Sequence, residues 1–305
     1  MASIPHDQLF KELLQEFLPE FVSLFFPETA SGIDWSDVEF LNPELFTDLL
    51  EGSRRTLDLI ARVRTQAGEP ELLLLHVEVE SDPRNEFPAR MFDYYCVLRL
   101  RRRLPVLPIA VYLKPGHGGI TRGEYVETLL DFPIVNFQYH LVAIPDVPRE
   151  KLPTDNPVRH ALAPLLKGRG ERPVELLREA YTGIAHTGRD PARQVLLAHL
   201  AETYAGLRAG EIAELRASLA DYEDQEVRKM TTIWHDLGRE EGREEGRAEG
   251  VRSSILQLLE ARFGPLPAGI ETALARVVDE EVLRTLIVPA SRTSSLDEFL
   301  KQLPQ

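Results

Sequence analysis

Cysteine is almost absent. Cys96 stands alone in 305 residues, which excludes an internal disulfide and suits a reducing cytoplasm. There is no Cys-x-x-Cys and no His-Glu-x-x-His, so structural and protease-type zinc sites are not expected. Long apolar runs are missing too. None reaches the length of a membrane span, and no membrane association is expected. The opening Met-Ala-Ser-Ile-Pro-His-Asp lacks a signal-peptide pattern, so a cytoplasmic location is expected. Positive charge is in deficit, with 35 Lys and Arg against 49 Asp and Glu and a net charge of −14. That balance argues against a general nucleic-acid coat, but it leaves room for a locally basic face. The rest is ordinary globular composition, 43% apolar and 28% charged. The length is enough for a sizeable core and two domains.

Residues 8–26 read as a helix, with Phe10, Leu13, Leu14, Phe17, Leu18, Phe21, Leu24 and Phe25 at helical spacing. Asp7 suits its N-cap, and Pro19 predicts a kink. A short strand is expected near Val38–Leu41. A hairpin follows, Leu57–Val63 with Glu71–Glu80, joined by a polar turn through Gly68 and Pro70. Phe87–Arg103 reads as a helix stopped by Pro105. Val106–Leu113 reads as a buried strand, and two further strands end in Phe137–Ile144. The loop Gly116-His117-Gly118-Gly119 lacks the Lys-Ser/Thr of a phosphate loop and reads as a flexible connection. The order α-β-β-β-α-β predicts an α/β fold, a mixed sheet flanked by helices over residues 1–150. Past the proline cluster at Pro145, Pro148, Pro153 and Pro157, residues 151–237 read as helices. Residues 253–305 read as a small helical domain, its last helix opened by the capping box Ser295-Leu296-Asp297-Glu298.

Residues 238–252 carry glycine at every fourth position, Gly238, Gly242, Gly246 and Gly250, with Arg and Glu between. Each glycine costs a helix about 1 kcal/mol against alanine. One reading is a smooth helical groove through which copies of the chain associate into a homo-oligomer. The other is a solvated linker helix held weakly by charges three apart.

The chemistry-bearing residues sit in the hairpin. Side chains on a strand alternate, so His76, Glu78 and Glu80 share one face, while Leu75, Val77 and Val79 share the other. Asp58 lies on the neighbouring strand. An acid facing an acid-x-acid supplies hard oxygen ligands for a divalent cation such as Mg²⁺. That suits phosphodiester hydrolysis, in which charge on the phosphate must be neutralised and a water activated. The same pattern also suits a solvated hairpin face. Downstream, Arg99, Arg101, Arg102 and Arg103 stand out in so acidic a chain. They suit a phosphate backbone, as does Arg90, and cations at a helix C-terminus are stabilising in any case.

At these residues the chain resembles the PD-(D/E)XK nuclease superfamily. The segments His6-Asp7-x-x-Phe10-Lys11, His76-Val77-Glu78-Val79 and Phe87-Pro88-x-Arg90-Met91-x-x-Tyr94 resemble its Rpn group, the recombination-promoting nucleases, which are also described as transposases. The resemblance covers residues 5–145. The glycine repeat is typical of that group, and residues 258–298 resemble a helical domain of unknown function often joined to it. The resemblance implies a restriction-endonuclease-like core, DNA as partner and an endonuclease dependent on Mg²⁺, or alternatively Mn²⁺. It implies Asp58 and Glu78 as metal ligands, with Asp7 and Tyr94 as further candidates. Glu80 occupies the position of the superfamily's lysine, which the group commonly replaces by glutamine. A glutamate there suits a third ligand or a general base, or marks a weakened enzyme that binds DNA or regulates. Lys11 is then a candidate for the missing cation.

Overall fold

A computed structural model describes residues 6–42, 59–66, 72–80, 86–166, 168, 170–220, 224–229, 250–275, 277, 280–293, 295–300 and 302–303. Asp58 and residues 238–249 of the glycine repeat lie outside the described residues. The chain divides into a larger unit, residues 2–231, and a smaller one, residues 232–305.

The larger unit begins with α1 (His6–Phe25) and α2 (Pro27–Ser31). Phe10, Leu13, Leu14, Phe17, Leu18, Phe21 and Val22 of α1 are fully buried. A helix apolar around so much of its circumference must be covered on more than one side. The kink is present: Phe17 leaves helical geometry (φ −132°, ψ 29°) two residues before Pro19, whose ring collides with the preceding turn.

Among the described residues six strands form one sheet, β1 (Ile33–Leu41), β2 (Leu59–Thr65), β3 (Leu72–Glu80), β4 (Val106–Tyr112), β5 (Ile120–Leu129) and β6 (Phe132–Ala143). Their spatial order is β1-β2-β3-β4-β6-β5. β1, β2 and β3 pair antiparallel, β4 runs parallel to both β3 and β6, and β5 folds back antiparallel on β6. This is the mixed sheet expected from the element order. Helix α3 (Phe87–Arg102) is the crossover between β3 and β4, as a parallel pair requires. Its inner face packs Phe87 and Met91 against Ala110, Tyr112, Tyr139 and Leu141, and Tyr94 and Leu98 against Ile60. On the other side Leu59, Ala61, Val63 and Val77 are buried, and α1 packs against β2.

The helices that follow, α4 (Pro157–Ala161), α5 (Pro173–Ala185), α6 (Pro191–Ala205) and α7 (Ala209–Ala220), belong to the same unit. The change of composition near Pro145 therefore falls inside it. α4 and α6 pack on α1, where the Phe10 ring of α1 meets Tyr204 of α6 edge-on at 6.5 Å. Arg189 and Asn156 donate to the Glu20 carboxylate and carbonyl at 2.6 and 2.8 Å. Tyr181 of α5 and Arg216 of α7 both donate to Glu202 of α6.

In the smaller unit, helices over residues 250–263, Ala268–Ala275, Glu280–Arg292 and Leu296–Leu300 enclose Ile255, Leu259, Ile270, Leu274, Leu283, Leu286 and Phe299. Arg262 donates to the carbonyls of Ala290 (2.7 Å) and Thr293 (2.6 Å). Arg252 does the same for Leu274 and Val277 at 3.1 Å. One helix thus supplies cations to the open carbonyl ends of two others.

Candidate functional site

β3 is the strand at which the sheet changes from antiparallel to parallel pairing. Its neighbours bury it on both faces, with His76 and Val77 at 0% exposure and Glu78 at 4%. The Glu78 face is therefore not a solvated hairpin surface. It lies under α3. A carboxylate taken out of water is costly unless it is paired and hydrogen-bonded, and Glu78 has such a partner. Nε2 of His76 lies 2.9 Å from its Oε1. The His76 ring is fixed from above by Tyr94 of α3, edge-on at 5.6 Å. Its other nitrogen, Nδ1, is buried without a hydrogen-bond partner. The Nε2–H tautomer fits this best, since it donates to the carboxylate and leaves only a bare lone pair unpaired.

Two residues on, Glu80 is partly buried and accepts from Arg90, in the first turn of α3. Arg90 also covers the Phe87 ring, 4.8 Å from its centre. Burial works against the charge of Arg90, but its bond to Glu80 and the nearby Glu78 and Tyr94 hold the guanidinium above its ordinary value. Its Nε is buried without a hydrogen-bond partner. Tyr112 stands opposite Glu80 in the β3–β4 ladder. Burial, together with Tyr139 and Glu80, pushes its hydroxyl up out of the ordinary tyrosine range.

The structure therefore brings together His76, Glu78, Glu80, Arg90 and Tyr94, and adds Tyr112. No pattern in the sequence singles out Tyr112, because its place depends on the parallel register of β4. Asp58 falls outside the described residues; the residue after it, Leu59, pairs with Val77. Lys11 is half-exposed on α1, and nothing is described of the Asp7 side chain. Arg99, Arg101, Arg102 and Arg103 are exposed at the far end of α3. Nine residues of helix separate Arg99 from Arg90, about 13 Å along the axis. They are not beside the carboxylates, as a shared phosphate contact would have it. Among the described residues no group of three or more His, Cys, Asp or Glu is arranged to hold a metal ion.

No family model, no curated protein and no solved structure matches the chain.

One loop differs from its expectation. Gly116–Gly118 is not a free connection but a clamp on Asp146. The backbone N–H groups of Gly116, His117 and Gly118 donate to its carboxylate at 2.8, 2.6 and 3.0 Å. Gly116 and Gly118 hold φ of 100° and 82°, which lets successive N–H groups converge on the anion. Asp146 serves here as the anion of the nest, so the loop is structural. No described helix is long and apolar enough to cross a membrane.

Proposed function

We propose that the larger unit is a divalent-cation-dependent DNA endonuclease on a restriction-endonuclease-like core. The observation that carries this reading is Glu78, a carboxylate 4% exposed at the centre of a mixed sheet. It sits one step along β3 from Val77, the partner of Leu59, and Asp58 is the next residue before Leu59. With Asp58 on the neighbouring strand, as the sequence pattern expects, the two carboxylates are what a protein usually gives Mg²⁺, which keeps several waters. The donor set therefore fits Mg²⁺, or Mn²⁺, with Asp58 and Glu78 as the residues that would hold it. A bound ion would neutralise charge on the phosphate and make a water nucleophilic. His76 orients Glu78 from behind, as an outer partner orients a ligand. Arg90 keeps a cation beside the carboxylates, and Glu80 holds it there.

A second reading, a catalytically weakened fold that binds DNA or regulates, is favoured by the same Glu80–Arg90 pair. With its carboxylate committed to a guanidinium, Glu80 supplies neither the family's lysine nor a ready third ligand. Thermal melting with Mg²⁺ or Mn²⁺ tests the metal site, because a ligand at a hundredfold its Kd stabilises the folded state by about 2.7 kcal/mol. The nuclease reading expects a shift in the wild type that is lost in Glu78→Gln and Asp58→Asn. Equal melting with and without the ions, alongside DNA binding that survives both substitutions, supports the second reading.

A further inference from the structure

β5 ends the sheet: among the described residues it pairs with β6 alone. It is ten residues long, and its register with β6 is regular from Ile120 to Glu127, shifting only between Glu127 and Thr128, so the first eight residues offer an even edge for pairing. Most of the exposed large apolar side chains among the described residues stand on this hairpin: Ile120 (45%), Val126 (50%), Leu129, Leu130, Phe132 and Ile134. Ile120 and Val126 stand on β5 itself, and exposed apolar side chains along an open edge suit an interaction surface.

The edge selects its partner by charge. Ile120, Arg122, Glu124 and Val126 share one face of β5. Tyr125 on the other is stacked against Phe92 of α3 at 5.3 Å. If two copies of β5 pair antiparallel about a two-fold axis through the sheet, side chains directly opposite must share a face. Centring the axis on Arg122 or on Glu124 sets like charges against each other. Centring it on Tyr125 sets Glu124 against Val126. Centring it on Gly123 sets Arg122 against Glu124 twice and Ile120 against Val126 twice. Opposite charges and apolar pairs directly across a ladder are each favourable, and like charges are not. Gly123 itself does not obstruct the axis. It lacks a side chain because any Cβ would lie 2.1 Å from the Tyr139 ring.

We propose that the chain forms a two-fold dimer by antiparallel pairing of β5 with β5 of a second copy, in the register centred on Gly123. The contact is isologous and closes at two copies. It is independent of the nuclease reading and of the glycine repeat.

The test is light scattering on the full chain across a wide concentration range, with circular dichroism to check folding. Arg122→Glu and Glu124→Arg each turn both cross-copy pairs into like charges, and each is expected to weaken the dimer by at least about tenfold. The double substitution Arg122→Glu with Glu124→Arg restores opposite charges, and with them the dimer. Arg122 and Glu124 are exposed; if one reversal fails to fold, the other reads the same repulsion. A monomeric wild type, a dimer indifferent to both single reversals, or a double variant that stays monomeric overturns the proposal.

Discussion

At Glu78 and Glu80, two residues apart on one strand, alternation predicts that they share a face, and both are found beneath α3. Alternation does not tell how each carboxylate is met. Glu78 takes a partner from its own strand, His76, while Glu80 takes Arg90 from the helix above. The second pairing depends on how α3 docks, so Arg90 reads in the sequence only as one more arginine suited to phosphate. Removing one member of a partly buried pair leaves a charge without its partner. Arg90→Met is expected to cost about 2 kcal/mol, and adding Glu80→Leu to recover at least about 1 kcal/mol of it. Urea denaturation of the four chains gives this coupling; a value near zero contradicts the pair's role. Gly123 was equally silent in the sequence, because its constraint comes from Tyr139 on the neighbouring strand. Gly123→Ala is expected to destabilise by about 2 kcal/mol or more, the cost of overpacking against a ring, read as a fall in the denaturation midpoint.

Among the elements, the helices and strands were legible where period and breakers agreed. Phe10 to Phe25 marks α1, Pro105 follows the end of α3, and Pro19 places the kink. The loop at Gly116–Gly118 was not legible as a clamp, since its anion, Asp146, lies thirty residues away in the chain. Burial acts to raise the Asp146 pKa, but the three backbone N–H groups and the neighbouring His117 outweigh it and hold the carboxyl below its ordinary value. A carboxylate with a depressed folded pKa adds stability above its unfolded value and loses it as the pH falls through the folded one. Asp146 is only partly buried, and screening by solvent keeps the effect under about 1 kcal/mol. Asp146→Asn is therefore expected to be less stable than the wild type at neutral pH. The gap closes as the pH drops below the ordinary carboxylate value of about 3.9. A gap that widens in acid contradicts the clamp.

For the whole molecule, the α-β-β-β-α-β order was enough to expect a mixed sheet with helices on its faces. It was not enough to place β5 outside β6, because a hairpin's position in a sheet depends on which edge is left open. Nor does local pattern reveal that the helices after Pro145 fold back on α1, an association made by packing between distant segments. What the arrangement achieves is to bury Glu78 on an inner strand of the sheet, supported by His76 on its own strand and covered by α3. Nicking of supercoiled plasmid by the full chain with Mg²⁺ or Mn²⁺, wild type beside Glu78→Gln and Asp58→Asn, tests the proposed activity at its source. Loss of charge stabilisation at the reacting phosphate is expected to cost at least about 10²-fold in rate. A cation-dependent nuclease nicks as the wild type, and its nicking collapses in both variants; equal nicking by all three, or none by the wild type with either ion, contradicts the proposal.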